Sequence, residues 1–134
     1  MELERHGSGT PWEAAVGYSR VIRAGAHVWV AGCTATSADG IVLACGDAYQ
    51  QTIHTLENVE RALALVGATL ADVVRTRISV TDITRWEEIG RAHGEVFGQA
   101  RPVTAMVQVT GFIDPLMLVE IETDAYVAAP PAGA

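Results

Sequence analysis

The sequence predicts an α+β domain in which a single β-sheet carries two helices on one of its faces. Two kinds of periodicity support this prediction. Apolar and polar residues alternate in several short segments, which is typical of half-buried strands, whereas two longer segments repeat their apolar residues every three or four positions, as helices do. The elements follow in the order β-β-(β)-α-β-α-β-β, which predicts one sheet with both helices on the same side. A length of 134 residues is typical of one domain.

The N-terminal part is expected to form a hairpin that follows a loop-like arm. Residues 1–13 mix charged residues with Gly, Ser, Thr and Pro, so we expect an N-terminal arm that is ordered only near Trp12. Strands are predicted at 18–23 and 27–32, and a Gly-containing turn joins them. A short strand is further expected at 41–43.

Two helices are predicted, and the first has the clearer pattern. Asp47 is a suitable N-cap, the apolar residues from 53 to 66 recur at helical spacing, and Gly67 favours a C-terminal end. The second helix is predicted from 86 to 97, although two internal glycines weaken its helical propensity.

The last predicted strand, 118–127, carries three carboxylates on one face. Strand geometry points Glu120, Glu122 and Asp124 to the same side. Carboxylates in such a row repel one another unless water, cations or hydrogen-bond donors oppose them. Two interpretations stay open: the face is solvated or salt-bridged, or Glu120 lines a polar cavity and handles a water molecule or a proton.

Cations that suit this acidic face occur on another predicted strand, 73–81. Arg75 and Arg77 share one face of that strand, and we expect them to oppose the carboxylates. The residues expected on its opposite, apolar face are Val74, Thr76, Ile78 and Val80. One more strand is predicted at 103–110.

The composition argues against several classes of function. The formal net charge is −7 and all nine basic residues are arginines, so nucleic-acid binding is not expected. No signal-peptide pattern or membrane-length apolar run occurs, and we expect a cytoplasmic protein that does not bind membranes. Cys33 and Cys45 are too few for a disulfide framework, and the histidines lack metal-ligand spacing, so neither a metal nor a cofactor is predicted. A flexible tail is predicted at 128–134.

The segment Pro-Val-Thr-Ala-Met-Val-Gln-Val at 102–109, followed by Val-Glu-Ile-Glu at 119–122, resembles the C-terminal signature of the RidA family, also called YjgF. These are small trimeric proteins, some of which hydrolyse reactive enamines and imines. Four further segments match in order and spacing, namely 16–19, 28–33, the predicted helix at 48–66 and 72–83. The resemblance implies a chorismate mutase-like fold and a homotrimer with a small-molecule ligand in each cleft between subunits.

The resemblance also implies a set of site residues. Glu120 would be the catalytic residue that positions water, and the Gly32 amide would hold a ligand oxygen. The ligand-binding positions that it implies are Tyr18, Ala31, Gly32, Cys33, Trp86, Thr104 and Met106. For Tyr18 and Trp86, local packing remains an alternative to ligand contact. Cys33 is interpreted as a small, semi-buried residue, because no paired base accompanies it in the sequence as nucleophilic catalysis requires.

Thr104 marks a departure from the deaminating members of that family. Those proteins have an arginine at this position, which binds the substrate carboxylate. A threonine hydroxyl supplies neither the permanent charge nor the bidentate geometry of a guanidinium. We therefore expect no efficient hydrolysis of 2-aminoacrylate, whereas an uncharged substrate is compatible with the change.

Three hypotheses for function remain open. The first is a small-molecule hydrolase or deaminase that acts on an imine, an enamine or a related metabolite. The second is a non-catalytic trimer that binds a small metabolite in the same clefts. The third is a protein-interaction module, including a chaperone-like role.

Overall fold

The computed structural model describes residues 2–128, so the predicted tail lies outside the described residues except for Ala128. The strands form one six-stranded sheet in the order β1-β2-β3-β6-β4-β5. Neighbouring strands are antiparallel except for the parallel pair β4 and β5. The elements are β1 Leu3–His6, α1 Pro11–Val16, β2 Val21–Ala24, β3 His27–Cys33, α2 Ala48–Ala64, β4 Val73–Val80, α3 Trp86–Phe97, β5 Val103–Gln108 and β6 Val119–Tyr126.

The predicted fold class is confirmed, because α2 and α3 pack together on one face of the mixed sheet. Asp47 caps α2 by accepting a hydrogen bond from the backbone N–H of Gln50 at 2.9 Å. The helix contributes Leu56, Val59 and Leu63 to the core, each almost completely buried. These side chains pack with the inward residues of the sheet in one contiguous cluster.

The N-terminal arm differs from the prediction of a loop. Residues Leu3–His6 form an edge strand paired with β2, and Pro11 opens the short helix α1, which ends at Gly17 with φ of 87°. An exposed edge strand needs only backbone pairing, so its side chains carry little periodic signal. The strand expected at 41–43 is reduced to one isolated bridge between Thr36 and Val42.

Val74 does not point into the core with its predicted neighbours. It is 47% exposed, whereas Thr76 is fully buried. The pairing of β4 with β6 shifts between Val73 and Arg75, so Val74 is an extra residue in the ladder. Such a bulge turns one side chain out of the alternation, and sequence alternation alone does not predict it.

A buried amide on α2 fixes the entry to β6. The Nε2 of Gln51 donates to the carbonyl oxygen of Leu116 at 2.9 Å, and its Oε1 accepts from the backbone N–H of Leu118 at 2.9 Å. Gln51 itself is completely buried. The helix therefore holds the chain two residues before Glu120, which makes Gln51 relevant to the candidate site.

We predict that Gln51→Leu lowers the free energy of unfolding by about 2–5 kcal/mol. The substitution leaves two backbone groups without their partner, and each such buried group costs about 1–3 kcal/mol. Urea unfolding at one protein concentration measures the effect. The matched control is Gln50→Leu, because that side chain is exposed and only its backbone takes part in the cap. Equal stability of the two variants would contradict the role given to the Gln51 amide.

Candidate functional site

Some of the predicted site residues lie together in a cavity of about 1240 Å³. The cavity lies where β3 and β6 meet the N-terminal segment, and helix α2 borders it. Five of the predicted site residues line this cavity: Tyr18, Ala31, Gly32, Cys33 and Glu120. A space of this size accepts a small metabolite.

A bulge in β3 places Gly32 against Glu120. The pairing of β3 with β6 shifts between Val30 and Cys33, so that two residues of β3 stand opposite one residue of β6. A Cβ atom on Gly32 would lie 2.7 Å from the Cδ of Glu120. Only glycine therefore leaves room for the Glu120 carboxyl group in this position.

Glu120 is half-buried and has no partner of opposite charge in direct contact. Within residues 2–128 no side chain or backbone group forms a hydrogen bond or an ion pair with its carboxyl group. Burial raises the pKa of Glu120 above its ordinary value, the neighbouring Glu122 raises it further, and Arg20 acts in the opposite direction. A carboxyl group of this kind is suited to accept and return a proton.

The arginines expected to oppose the acidic face pair with Asp124. Arg77 lies 3.5 Å and Arg75 lies 3.8 Å from the Asp124 carboxylate. The sheet face is thus salt-bridged at Asp124, whereas Glu120, at the other end of the row of carboxylates, takes no part in these ion pairs. The salt-bridged interpretation thus holds for Asp124, Glu120 lines a cavity, and its handling of water or a proton stays a prediction.

Arg20 and Glu13 form a buried ion pair that the sequence analysis missed. The Nε of Arg20 donates to the Glu13 carboxylate at 3.2 Å, and both side chains are only 8% exposed. Burial acts to raise the pKa of Glu13, but hydrogen bonds from Ser8 and the charge of Arg20 bring it below its ordinary value. Alternation does place Arg20 on the same strand face as Tyr18, which is the only sequence signal that points to it.

The guanidinium group of Arg20 also organises the cavity wall. Its Nη1 donates to the carbonyl oxygen of Gly32 at 2.7 Å and contacts the Sγ of Cys33 at 3.6 Å, and its Nη2 donates to the Tyr18 hydroxyl at 3.3 Å. Because the Tyr18 oxygen accepts from Arg20, its own proton remains available to donate into the cavity. One buried cation therefore orients three of the predicted site residues.

Cys33 is a buried thiol. Burial raises the pKa of Cys33 above its ordinary value, and the charge of Arg20 opposes this effect without reversing it. The Sγ donates to the carbonyl oxygen of Ala31 at 3.5 Å. A protonated thiol in this setting matches the interpretation of Cys33 as a small wall residue.

Three predicted ligand-binding residues lie away from this cavity within one chain. Thr104 and Met106 pair with Thr76 and Ile78 of β4, on the helix-covered side of the sheet. Trp86 begins α3 and is 55% exposed. Their role as ligand contacts stays a prediction that depends on a neighbouring subunit.

The hydroxyl of Thr104 belongs to a small polar network. It lies 2.9 Å from the Oγ1 of Thr76, which lies 2.9 Å from the Nε2 of His93, and it donates to the carbonyl oxygen of Pro102 at 3.0 Å. Burial lowers the pKa of His93 below its ordinary value. The threonine thus supports the strand edge.

Within residues 2–128, no three side chains of His, Cys, Asp or Glu cluster as metal ligands. The helices in the same range are too short or too polar to cross a bilayer.

Comparison with known proteins gives a consistent result. The family model described as endoribonuclease L-PSP matches residues 9–127. An uncharacterized protein of Streptomyces coelicolor is 40% identical over 92% of each chain, and a RutC family protein of Pyrococcus abyssi is 29% identical over 81% of this chain and 85% of its own. A crystal structure of a YjgF/YER057c/UK114 family member from Mycobacterium tuberculosis superposes with a TM-score of 0.85 at 53% identity, over 94% of this chain and all of that one.

We predict that Arg20→Met lowers the free energy of unfolding by about 3–5 kcal/mol, because it leaves the Glu13 carboxylate buried without its cation. Denaturant unfolding at a fixed protein concentration measures the loss. The control is Arg61→Met, since Arg61 is 70% exposed and lies 3.9 Å from Glu57. Its effect should stay within about 0.5 kcal/mol. Equal losses of unfolding free energy in the two variants would contradict a larger stabilising effect of the buried Arg20–Glu13 pair.

Proposed function

The chain belongs to the endoribonuclease L-PSP family, which includes the RidA and YjgF proteins, and we propose that it is a small-molecule hydrolase or deaminase. Its substrate would be an imine, an enamine or a related small metabolite, bound in the cavity beside Glu120. The observation that carries this proposal is the Glu120 carboxyl group, which is half-buried, has a raised pKa and, within residues 2–128, is not paired with a cation. Burial without a cation disfavours the charged form of this carboxyl group. A purely structural role would not require such an arrangement.

In the proposed reaction Glu120 handles both proton transfers. Its carboxylate accepts a proton from water while the water oxygen adds to the carbon of the protonated C=N bond, which gives a neutral carbinolamine. The protonated Glu120 then returns that proton to the nitrogen. The C–N bond breaks, the hydroxyl proton passes to the departing ammonia, and the products are a carbonyl compound and ammonium. A raised pKa suits a group that must act first as a base and then as an acid.

Two donors are available to hold the substrate in this scheme. The Tyr18 hydroxyl keeps its proton because Arg20 donates to its oxygen. The Gly32 backbone borders the same space as the Glu120 carboxyl group, and its amide is the second donor that the family resemblance implies. Donors placed around the hydroxyl oxygen stabilise the charge that develops on it as it loses its proton in the breakdown step.

The charge of the chain supports a small-molecule substrate over RNA, although the matching family model is described as an endoribonuclease. A net charge of −7 repels a phosphate backbone. The charge therefore gives no support to RNA cleavage. The alternative is a non-catalytic binding role in the same cavity, and the experiments below distinguish it from hydrolysis or deamination.

We further propose a cytoplasmic homotrimer in which neighbouring subunits complete the clefts. Val103 and Val107 of edge strand β5 lie on the sheet face without helices and are 60% and 54% exposed. Apolar side chains on an open sheet face favour burial by another subunit. Light scattering at micromolar concentration tests this; a monomer would remove Trp86, Thr104 and Met106 from the site.

We predict that Glu120→Gln abolishes turnover without destabilising the protein. The amide keeps the shape and hydrogen-bonding capacity of the side chain but cannot accept the proton. The native pKa of Glu120 is raised, so the folded state binds more protons than the unfolded state, and this residue lowers stability as pH rises through its native pKa. At pH 7 the variant should therefore melt at the same temperature as the wild type or a higher one.

Thermal melts and sizing of both proteins measure the structural part of this prediction, and ammonia release from a panel of small imines measures turnover. Glu60→Gln is the matched control, because it removes the same charge from an exposed position on α2. A large loss of stability in Glu120→Gln alone would show that the carboxylate is structural. Retained turnover would exclude Glu120 as the base.

We predict that the protein hydrolyses 2-aminoacrylate at no more than about one-hundredth of the rate of an arginine-containing relative. The missing bidentate contact to a substrate carboxylate is worth a few kcal/mol in a desolvated site, which corresponds to on the order of a hundredfold in rate. A coupled assay with that relative as positive control measures both rates. Comparable rates would refute the importance of Thr104.

A further inference from the structure

The charged groups of the cavity leave an excess of negative charge. The guanidinium of Arg20 is already paired with Glu13, and Arg61 at the cavity border lies beside Glu57. Glu120 and Glu122 also line the cavity, and neither forms an ion pair within residues 2–128. Counting the two lining arginines with their partners Glu13 and Glu57, and adding Glu120 and Glu122, gives two cations against four carboxylates.

The Arg20 guanidinium is poorly placed to receive an anionic ligand. It is 93% buried, and it already donates to Glu13, Tyr18 and the Gly32 carbonyl. A ligand carboxylate would have to displace these acceptors while it approached two unpaired glutamates. Both effects oppose anion binding.

Much of the rest of the cavity wall is apolar, beside polar groups that include Ser8, His54 and Asn58. Val16, Leu65 and Ile113 border it and are 71%, 45% and 68% exposed in the single chain. An apolar surface next to unpaired carboxylates suits a ligand with a hydrophobic part and a cationic end.

We propose that this cavity selects small cationic ligands, namely protonated imines or amines that carry an apolar substituent and no carboxylate. The inference extends the proposed function, since a protonated imine is the form of the substrate that water attacks most readily. The Glu120 carboxylate contacts the nitrogen end, and the apolar wall contacts the substituent. Ligand charge at the nitrogen end, rather than a contact to a substrate carboxylate, thus decides which molecules bind.

Three probes that share a phenyl ring test the proposal: benzylamine as the cation, benzyl alcohol as the neutral analogue and benzoate as the anion. Their affinities are measured by calorimetric titration of the wild-type protein at neutral pH. Benzylamine should bind at least about tenfold more tightly than benzyl alcohol, and benzoate should bind most weakly. In Glu120→Gln the affinity for benzylamine should fall to that for benzyl alcohol, whose own affinity should not change.

Glu60→Gln controls for the loss of one negative charge far from the cavity, and it should keep the preference for benzylamine. Benzoate binding as tight as benzylamine binding, or an unchanged benzylamine affinity in Glu120→Gln, would overturn the proposal. So would the failure of all three probes to bind at millimolar concentration.

The same set of experiments separates this inference from the proposed function. Benzylamine binding that depends on Glu120, without hydrolysis of any imine, would reject the enzymatic function and leave cation selection in place. Conversely, hydrolysis of carboxylate-bearing imines as fast as of their neutral analogues would support an enzyme and reject cation selection.

Discussion

The buried ion pair between Glu13 and Arg20 links the N-terminal segment to the sheet and determines the shape of the candidate site. Glu13 lies on α1 and accepts from the backbone of Ser8, while Arg20 reaches the carbonyl of Gly32 on β3. Burying an ion pair removes both charged groups from water, so the pair stabilises the fold only if its remaining hydrogen bonds are made. The hydrogen bonds of this pair also hold residues that line the cavity, namely Ser8, Tyr18 and Gly32. The N-terminal segment therefore becomes part of the site.

The three carboxylates of β6 show how position within one strand decides chemical role. Asp124 lies beside Arg75 and Arg77 and forms the salt-bridged part of the face. Glu122 is exposed to solvent. The carboxyl group of Glu120 lies against Gly32, whose missing side chain leaves room for it, and burial raises its pKa. Residues of the same type thus differ because the backbone opposite them differs.

Much of the fold could be predicted from the sequence, and the errors have two physical causes. The helical spacing of α2 and the alternation of β6 are strong signals because a large apolar face is buried on one side. Strand β1 is paired only at an edge and has mostly exposed side chains, so alternation does not reveal it. The position of Val74 depends on a bulge, which is a property of two paired strands and not of one.

The sequence by itself determined the residue types on each strand face, the presence of an uncharged threonine at position 104 and the excess of negative charge. These are local properties, and periodicity or simple counting reveals them. Only the tertiary structure decided that Asp124 takes both arginines, that Arg20 pairs with Glu13 and that Glu120 remains without a cation. Those outcomes depend on which groups burial brings within a few ångströms of one another, because electrostatic interactions become strong only where water is excluded.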